Sequence, residues 1–204
     1  MGTFHPGYIF NQKPMPKKAL EAMLATHRKT DLEHGWIGYM NTALHYYPTP
    51  GTHYSFEAYL HYKVNEAASK GKKLRVLEIG VGTGNQWVNF WHLHKNNLEL
   101  LPTSLTPIDF PIKDIPVTVC HAGELHEHFE EGSIDVAVTN MGTHGQEIAA
   151  IEEVVHLLKP GGEALLTSVS KEMALRGEKA GFYKIVALTK NFNGVPCLHL
   201  RKTG

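Results

Sequence analysis

Two hydrophobic patterns divide the chain. Through residue 72, apolar residues recur at three- and four-residue spacing. Residues 17–28 place Ala19, Leu20, Met23 and Leu24 at helical intervals, and Ile37, Met40 and Leu44 repeat the pattern. Pro48-Thr49-Pro50-Gly51 breaks it. Thr52 then reads as the N-cap of a helix from about His53 to Ser69, with Phe56, Tyr59, Leu60, Val64 and Ala67 as its apolar stripe and Gly71 after its end. From Leu74 onward, short apolar runs alternate with helical stretches. Strands are predicted over Leu74–Ile79, Leu98–Leu105, Val117–Ala122, Ile134–Asn140 and Glu163–Ser168. Helices are predicted over Asn85–Lys95, with Trp87, Val88 and Trp91 on one face, and over Gln146–Leu158, which Lys159-Pro160-Gly161-Gly162 stops. Two further strands, Lys184–Leu188 and Val195–Leu200, flank Asn193-Gly194, a strong hairpin signal.

Strand–helix alternation implies an α/β domain built on a mostly parallel sheet. The predicted fold is a Rossmann-like, seven-stranded sheet with a C-terminal antiparallel hairpin. Residues 1–72 are expected to form an N-terminal helical region and residues 73–204 the core.

Composition narrows the function. The 204 residues carry 20 Lys plus Arg against 20 Asp plus Glu, a formal net charge of zero. Affinity for nucleic-acid phosphate needs clustered excess cations, and so does a polybasic membrane patch. No apolar run approaches the roughly 18 residues of a membrane helix, and Met1 to Phe10 shows no signal-peptide pattern. Cys120 and Cys197 lie in strand-like segments and read as reduced core residues. The expectation is a cytoplasmic protein whose partner is neither nucleic acid nor a membrane.

The informative segment is Glu78-Ile79-Gly80-Val81-Gly82-Thr83-Gly84. A buried strand runs into a glycine-rich turn and then a helix. Glycine permits positive φ and lets a ligand approach the backbone. Dinucleotide sites use G-x-G-x-x-G with an acidic residue about 20 positions on, whereas the spacing here is G-x-G-x-G.

This spacing resembles the first motif of the class I S-adenosylmethionine-dependent methyltransferases, E/D-x-G-x-G-x-G. The resemblance runs from about Leu74 to Lys202. Glu131-Gly132-Ser133-Ile134-Asp135-Val136 is similar to the family's D-G-S-F-D-V entry into its fourth strand, and Leu157-Leu158-Lys159-Pro160-Gly161-Gly162 to its L-K-P-G-G. Leu98 to Pro107 looks like its second strand, with Ser104 where the family's ribose-binding carboxylate stands. The connection Ile108 to Pro116 is too short and too rich in Pro for the usual helix. The resemblance implies that S-adenosyl-L-methionine is the cofactor. Gly80, Gly82 and Gly84 would wrap its methionine part, and Glu78 would anchor the loop or the amino group. Ser104 and Leu105 would face ribose and adenine, and His121 or Ala122 would edge the adenine. Asn140 would stand near the sulfonium.

Six of the eight tyrosines lie between Tyr39 and Tyr62. They read either as packing or as a lid that encloses an acceptor, with Tyr46 and Tyr47 the candidates to line it. His144, in the glycine-flanked loop after the fourth strand, is the candidate catalytic base. That loop lacks the N/D-P-P-Y/F pattern of methyltransferases acting on base amino groups. His92 and His94 point apart on a helix, and His126 and His128, among Glu124, Glu127 and Glu130, read as a solvated loop, so no metal is expected. The expected function is methyl transfer to a small-molecule acceptor. The alternative is a cofactor-binding or catalytically degenerate methyltransferase-like partner subunit. An NAD-dependent oxidoreductase is disfavoured by the glycine spacing.

Overall fold

The computed structural model describes residues 56–105, 107–139, 147–167, 169–190 and 196–204. Its centre is a seven-stranded sheet formed by β1 (Leu74–Glu78), β2 (Leu98–Ser104), β3 (Thr118–Val119), β4 (Ile134–Val138), β5 (Leu158–Thr167), β6 (Tyr183–Lys190) and β7 (Pro196–Lys202). The order across the sheet is β3-β2-β1-β4-β5-β7-β6. The first five strands are parallel, and β7 runs antiparallel to both β5 and β6. The chain leaves β1 outward through β2 and β3, then returns to β4 on the other side of β1. That reversal is the switch point at which open α/β sheets bind ligands.

Period-two alternation sends neighbouring residues to opposite faces. One face buries Val76, Leu100, Val136, Val138 and Leu165 beneath α1 (Phe56–Ser69) and α2 (Val88–His94). The other buries Leu77, Ala137, Ala164, Leu166 and Leu198 beneath α3 (Glu147–Leu157) and α4 (Lys171–Lys179). Phe56, Leu60 and Val64 of the expected stripe are fully buried on α1, with Tyr59 and Ala67 packed beside them. Gly71, at φ 67°, ends α1 with Lys72 N–H donating to Ala67 C=O at 3.0 Å. Cys120 and Cys197 are both free thiols.

Several boundaries differ from the sequence reading, each for a local reason. The helix after the glycine loop opens as a 3₁₀ turn, Asn85–Trp87, and buries Phe90 and His94, whereas Val88 and Trp91 are only half-buried. β3 is shorter than expected because the chain turns at once, with Glu124 N–H donating to His121 C=O. β5 begins at Leu158 instead of after the Pro-Gly-Gly stop, because Leu158 pairs with Ile134 before an irregularity in the register and resumed pairing at Glu163. The sequence reading missed α4, which Ser170 caps by accepting from Met173 N–H at 3.2 Å. Asn193-Gly194 lies outside the described residues, but its flanking strands pair as expected.

Among the described residues, side-chain polar contacts tie α1 to the rest of the domain at Glu163 and at His94. Glu163 on β5, nearly buried, accepts from Tyr59 at 2.6 Å, Lys63 at 3.0 Å, His199 at 2.9 Å and Arg201 at 2.8 Å. Burial alone would raise its pKa, but the His199 and Tyr59 hydrogen bonds and the Lys63 charge outweigh it, and the carboxyl stays well below the usual range. Tyr59, expected as an apolar residue, thus also supplies a hydroxyl donor. The second tie is His61 Nδ1 against His94 Nε2 at 2.6 Å, with Phe90 packed on both rings.

Candidate functional site

The glycine turn follows β1 directly at the switch point. Gly80, Gly82 and Gly84 all have positive φ, at 71°, 60° and 73°. Three left-handed residues in five allow the backbone to fold back over the strand end, which side chains with a Cβ resist. Thr103 of β2 holds the turn in place. Its Oγ1 donates to Glu78 C=O at 3.1 Å and accepts from Gly80 N–H at 3.3 Å, while its carbonyl accepts from Val81 N–H at 2.9 Å. Gln86 closes the turn from the helix side, donating to Val81 C=O at 2.9 Å and to Glu78 Oε1 at 3.4 Å. Glu78 itself is fully buried.

The parallel register brings the other expected residues alongside. Glu78 is level with Pro102 of β2, and Ser104 with Val119 of β3. Ser104 C=O accepts from Cys120 N–H at 3.0 Å, which sets His121 and Ala122 just past the end of Ser104. Ser104, His121 and Ala122 are all nearly buried, and Leu105 is half-buried. Gly123 N–H donates to His121 Nδ1 at 3.1 Å, so the neutral ring carries its proton on Nε2. The carboxyl ends of β1, β2 and β3 therefore gather Glu78, the three glycines, Ser104, Leu105, His121 and Ala122. Asn140, His144, Tyr46 and Tyr47 lie outside the described residues.

Sequence reasoning missed Thr103, Gln86 and Phe110. Thr103 read only as part of a strand, although a hydroxyl at the end of a buried strand is a signal of local hydrogen bonding. Phe110 lies on the glycine turn. A Cβ built on Gly84 would come within 2.1 Å of its ring and 3.1 Å of Pro111 Cδ. As expected, the described residues of the β2–β3 connection contain no helix, and Phe110 and Ile112 fill the core in its place. Two of the histidines singled out above find partners in the protein. His94 meets His61, and His126 Nδ1 meets Glu153 Oε1 at 2.7 Å. Among the described residues, no group of three or more His, Cys, Asp or Glu is placed to hold a metal ion, and no helix is long and apolar enough to cross a membrane.

Set against an adenosyl donor, the two sides of this arrangement differ. The positive-φ turn offers backbone at close range, and Glu78 stands beneath it. On the ribose side, Ser104 offers one hydroxyl in place of a carboxylate's two acceptor oxygens. The bare face of Gly84 is taken up by Phe110, not left open.

No family model and no curated protein matches the sequence. Solved structures do match in fold. The [4+2]-cyclase SpnF is 13% identical over 89% of this chain and 96% of its own, with a TM-score of 0.58. A protein assigned as a sarcosine dimethylglycine methyltransferase from Galdieria sulphuraria is 11% identical over 86% of this chain and 98% of its own, at 0.52. One assigned as an rRNA methylase from Clostridium thermocellum is 15% identical over 71% of this chain and 96% of its own, at 0.50. With the strand order and the glycine turn, these likenesses establish that the chain has the class I S-adenosylmethionine-dependent methyltransferase fold.

Proposed function

We propose that this chain transfers a methyl group from S-adenosyl-L-methionine to a small-molecule acceptor. The observation that carries the reading is the turn of three left-handed glycines, clamped by Thr103 above the buried Glu78 at the switch point. The cofactor supplies an electrophilic methyl on a sulfonium. The protein's part is to bind, align and exclude water, because in-line displacement depends on geometry. In this reading Gly80 and Gly82 present backbone to the amino-acid part, Glu78 meets its ammonium, and Ser104 and Leu105 face the ribose and adenine. His121 and Ala122 border the base. Asn140 is assigned to the sulfonium end, His144 to the proton of the acceptor, and Tyr46 and Tyr47 to the acceptor pocket. The zero net charge favours a small acceptor over nucleic acid.

Titration calorimetry with S-adenosylmethionine and S-adenosylhomocysteine tests the reading. Saturable heat from both is expected, and heat from neither would sink it.

Ser104 favours a second reading, in which the same domain binds the cofactor without turnover or serves as a partner subunit. The fold also occurs in a [4+2]-cyclase, so it does not dictate methyl transfer. Binding without release of S-adenosylhomocysteine across a panel of acceptors would favour this second reading.

A further inference from the structure

The segment that presents His121 has little regular structure of its own. Between Val119 and Ile134 only the 3₁₀ turn Leu125–Glu127 is regular, and Leu125 is its one fully buried side chain. A single carboxylate grips that turn twice. Glu153 Oε2 accepts from His126 N–H, and Glu153 Oε1 meets His126 Nδ1, both at 2.7 Å. Glu153 lies on α3 with no exposure to solvent, between core residues Ile151, Val154 and Val155. A helix that only covered the sheet would place an apolar side chain there, since a buried carboxylate is unfavourable unless hydrogen bonds compensate it. Here both bonds go to one residue, and they fix its backbone and its ring together.

The contacts continue toward the site. Glu127 N–H donates to Glu124 C=O, and Glu124 N–H to His121 C=O, both at 3.0 Å. Glu124 Oε2 accepts from His121 N–H at 3.4 Å, and Gly123 N–H donates to His121 Nδ1. Burial, and secondarily the charges of Glu124, Glu153 and Glu127, push the Cys120 thiol, next to His121, up to about 12.

We propose that Glu153 is a positioning residue: by holding His126 at two atoms, it sets the turn that brings His121 and Ala122 to the nucleotide end of the cleft. The functional part of this inference rests on the adenosyl-donor reading. The structural part does not.

The test uses the full chain with ¹⁵N-labelled histidine and three variants, Glu153→Leu, Glu153→Gln and His126→Ala. Glutamine offers one acceptor and one donor to the same two partners, with the His126 tautomer reversed. In the unmodified chain, His121 should give the ¹⁵N pattern of a ring protonated on Nε2. Glu153→Leu should shift that pattern and weaken S-adenosylhomocysteine binding by about tenfold, the scale of a small displacement at a binding site. Glu153→Gln should restore both. Unchanged His121 signals in Glu153→Leu would overturn the proposal, as would equal damage from Glu153→Gln. If Glu153→Leu does not fold, His126→Ala at its partly exposed position gives the same readout: a shifted His121 signal supports the proposal and an unchanged one overturns it. If the unmodified chain does not bind S-adenosylhomocysteine, the cofactor reading fails, and the ring spectra still decide the positioning.

Discussion

β1 and β2 are joined through helix, whereas β2 and β3 are joined by loop, and both connections cover the same face of the sheet. The first places Trp87 and Phe90 in the core from a 3₁₀ turn and α2, a short helix that pairs only part of its backbone internally. The second places Phe110 and Ile112 in the same core from a chain punctuated by Pro107, Pro111 and Pro116, each lacking an N–H donor. Two well-placed side chains can thus replace the apolar stripe of a helix. They leave an open surface hollow of about 270 Å³ beside the second connection, lined by Ile108, Asp109, Phe110, Ile112, Lys113 and Val119 among others. The two connections also depend on each other, because Phe110 rests on the bare Cα of Gly84.

That dependence can be broken from either side. The largest effect is expected from Phe110→Ala, which removes a ring from the shared core and should cost about 3 kcal/mol in a urea titration. Next comes Gly84→Ala. A Cβ there meets the Phe110 ring and a φ of 73°, and the loss should be about 2 kcal/mol. Combining the two should cost about 1 kcal/mol less than their sum, because the shortened residue 110 makes room for the new methyl. Strict additivity would show that the two connections are independent.

The smallest expected effect is pH-dependent and belongs to the helical connection alone. Burial, and secondarily the facing His61 ring, hold His94 below the ordinary histidine value. The folded chain therefore prefers the neutral ring, and the unfolded chain takes up the proton first. The stability from this preference is complete above about 6.5, the unfolded value. It declines as pH falls through that point toward the lower folded value. Urea midpoints compared at neutral and mildly acidic pH should show a weaker acid dependence in His94→Gln than in the unmodified chain. His156, also held low mainly by burial, contributes equally to both. Equal slopes would remove His94 from the account.

Most of the sheet was legible because strands and helices write their periods into the order of apolar residues. The alternation around Val76, Val136 and Leu165 is local information, and so is the glycine spacing after Glu78. The missed features have a different origin. α4 is nine residues long and polar in composition, with only Ala174 and Gly177 buried, so it holds too few apolar positions to read as a core-facing stripe. Phe110 read as part of an irregular loop, because its partner Gly84 lies 26 positions away in the chain and meets it only once β1 and β2 are paired. Thr103 and Gln86 were hidden for the same reason: each bonds to backbone that another element supplies.

The sequence alone determined the α/β class, the seven strands, the antiparallel finish and the glycine turn, since each follows from residues adjacent in the chain and from their intrinsic backbone preferences. Only the tertiary structure decided that Glu163 would gather four donors from α1 and β7, that Phe110 would take the space beside Gly84, and that Glu153 would reach His126. These contacts join residues distant in sequence. They depend on strand order and register, which the hydrophobic pattern constrains only through the face each side chain must occupy.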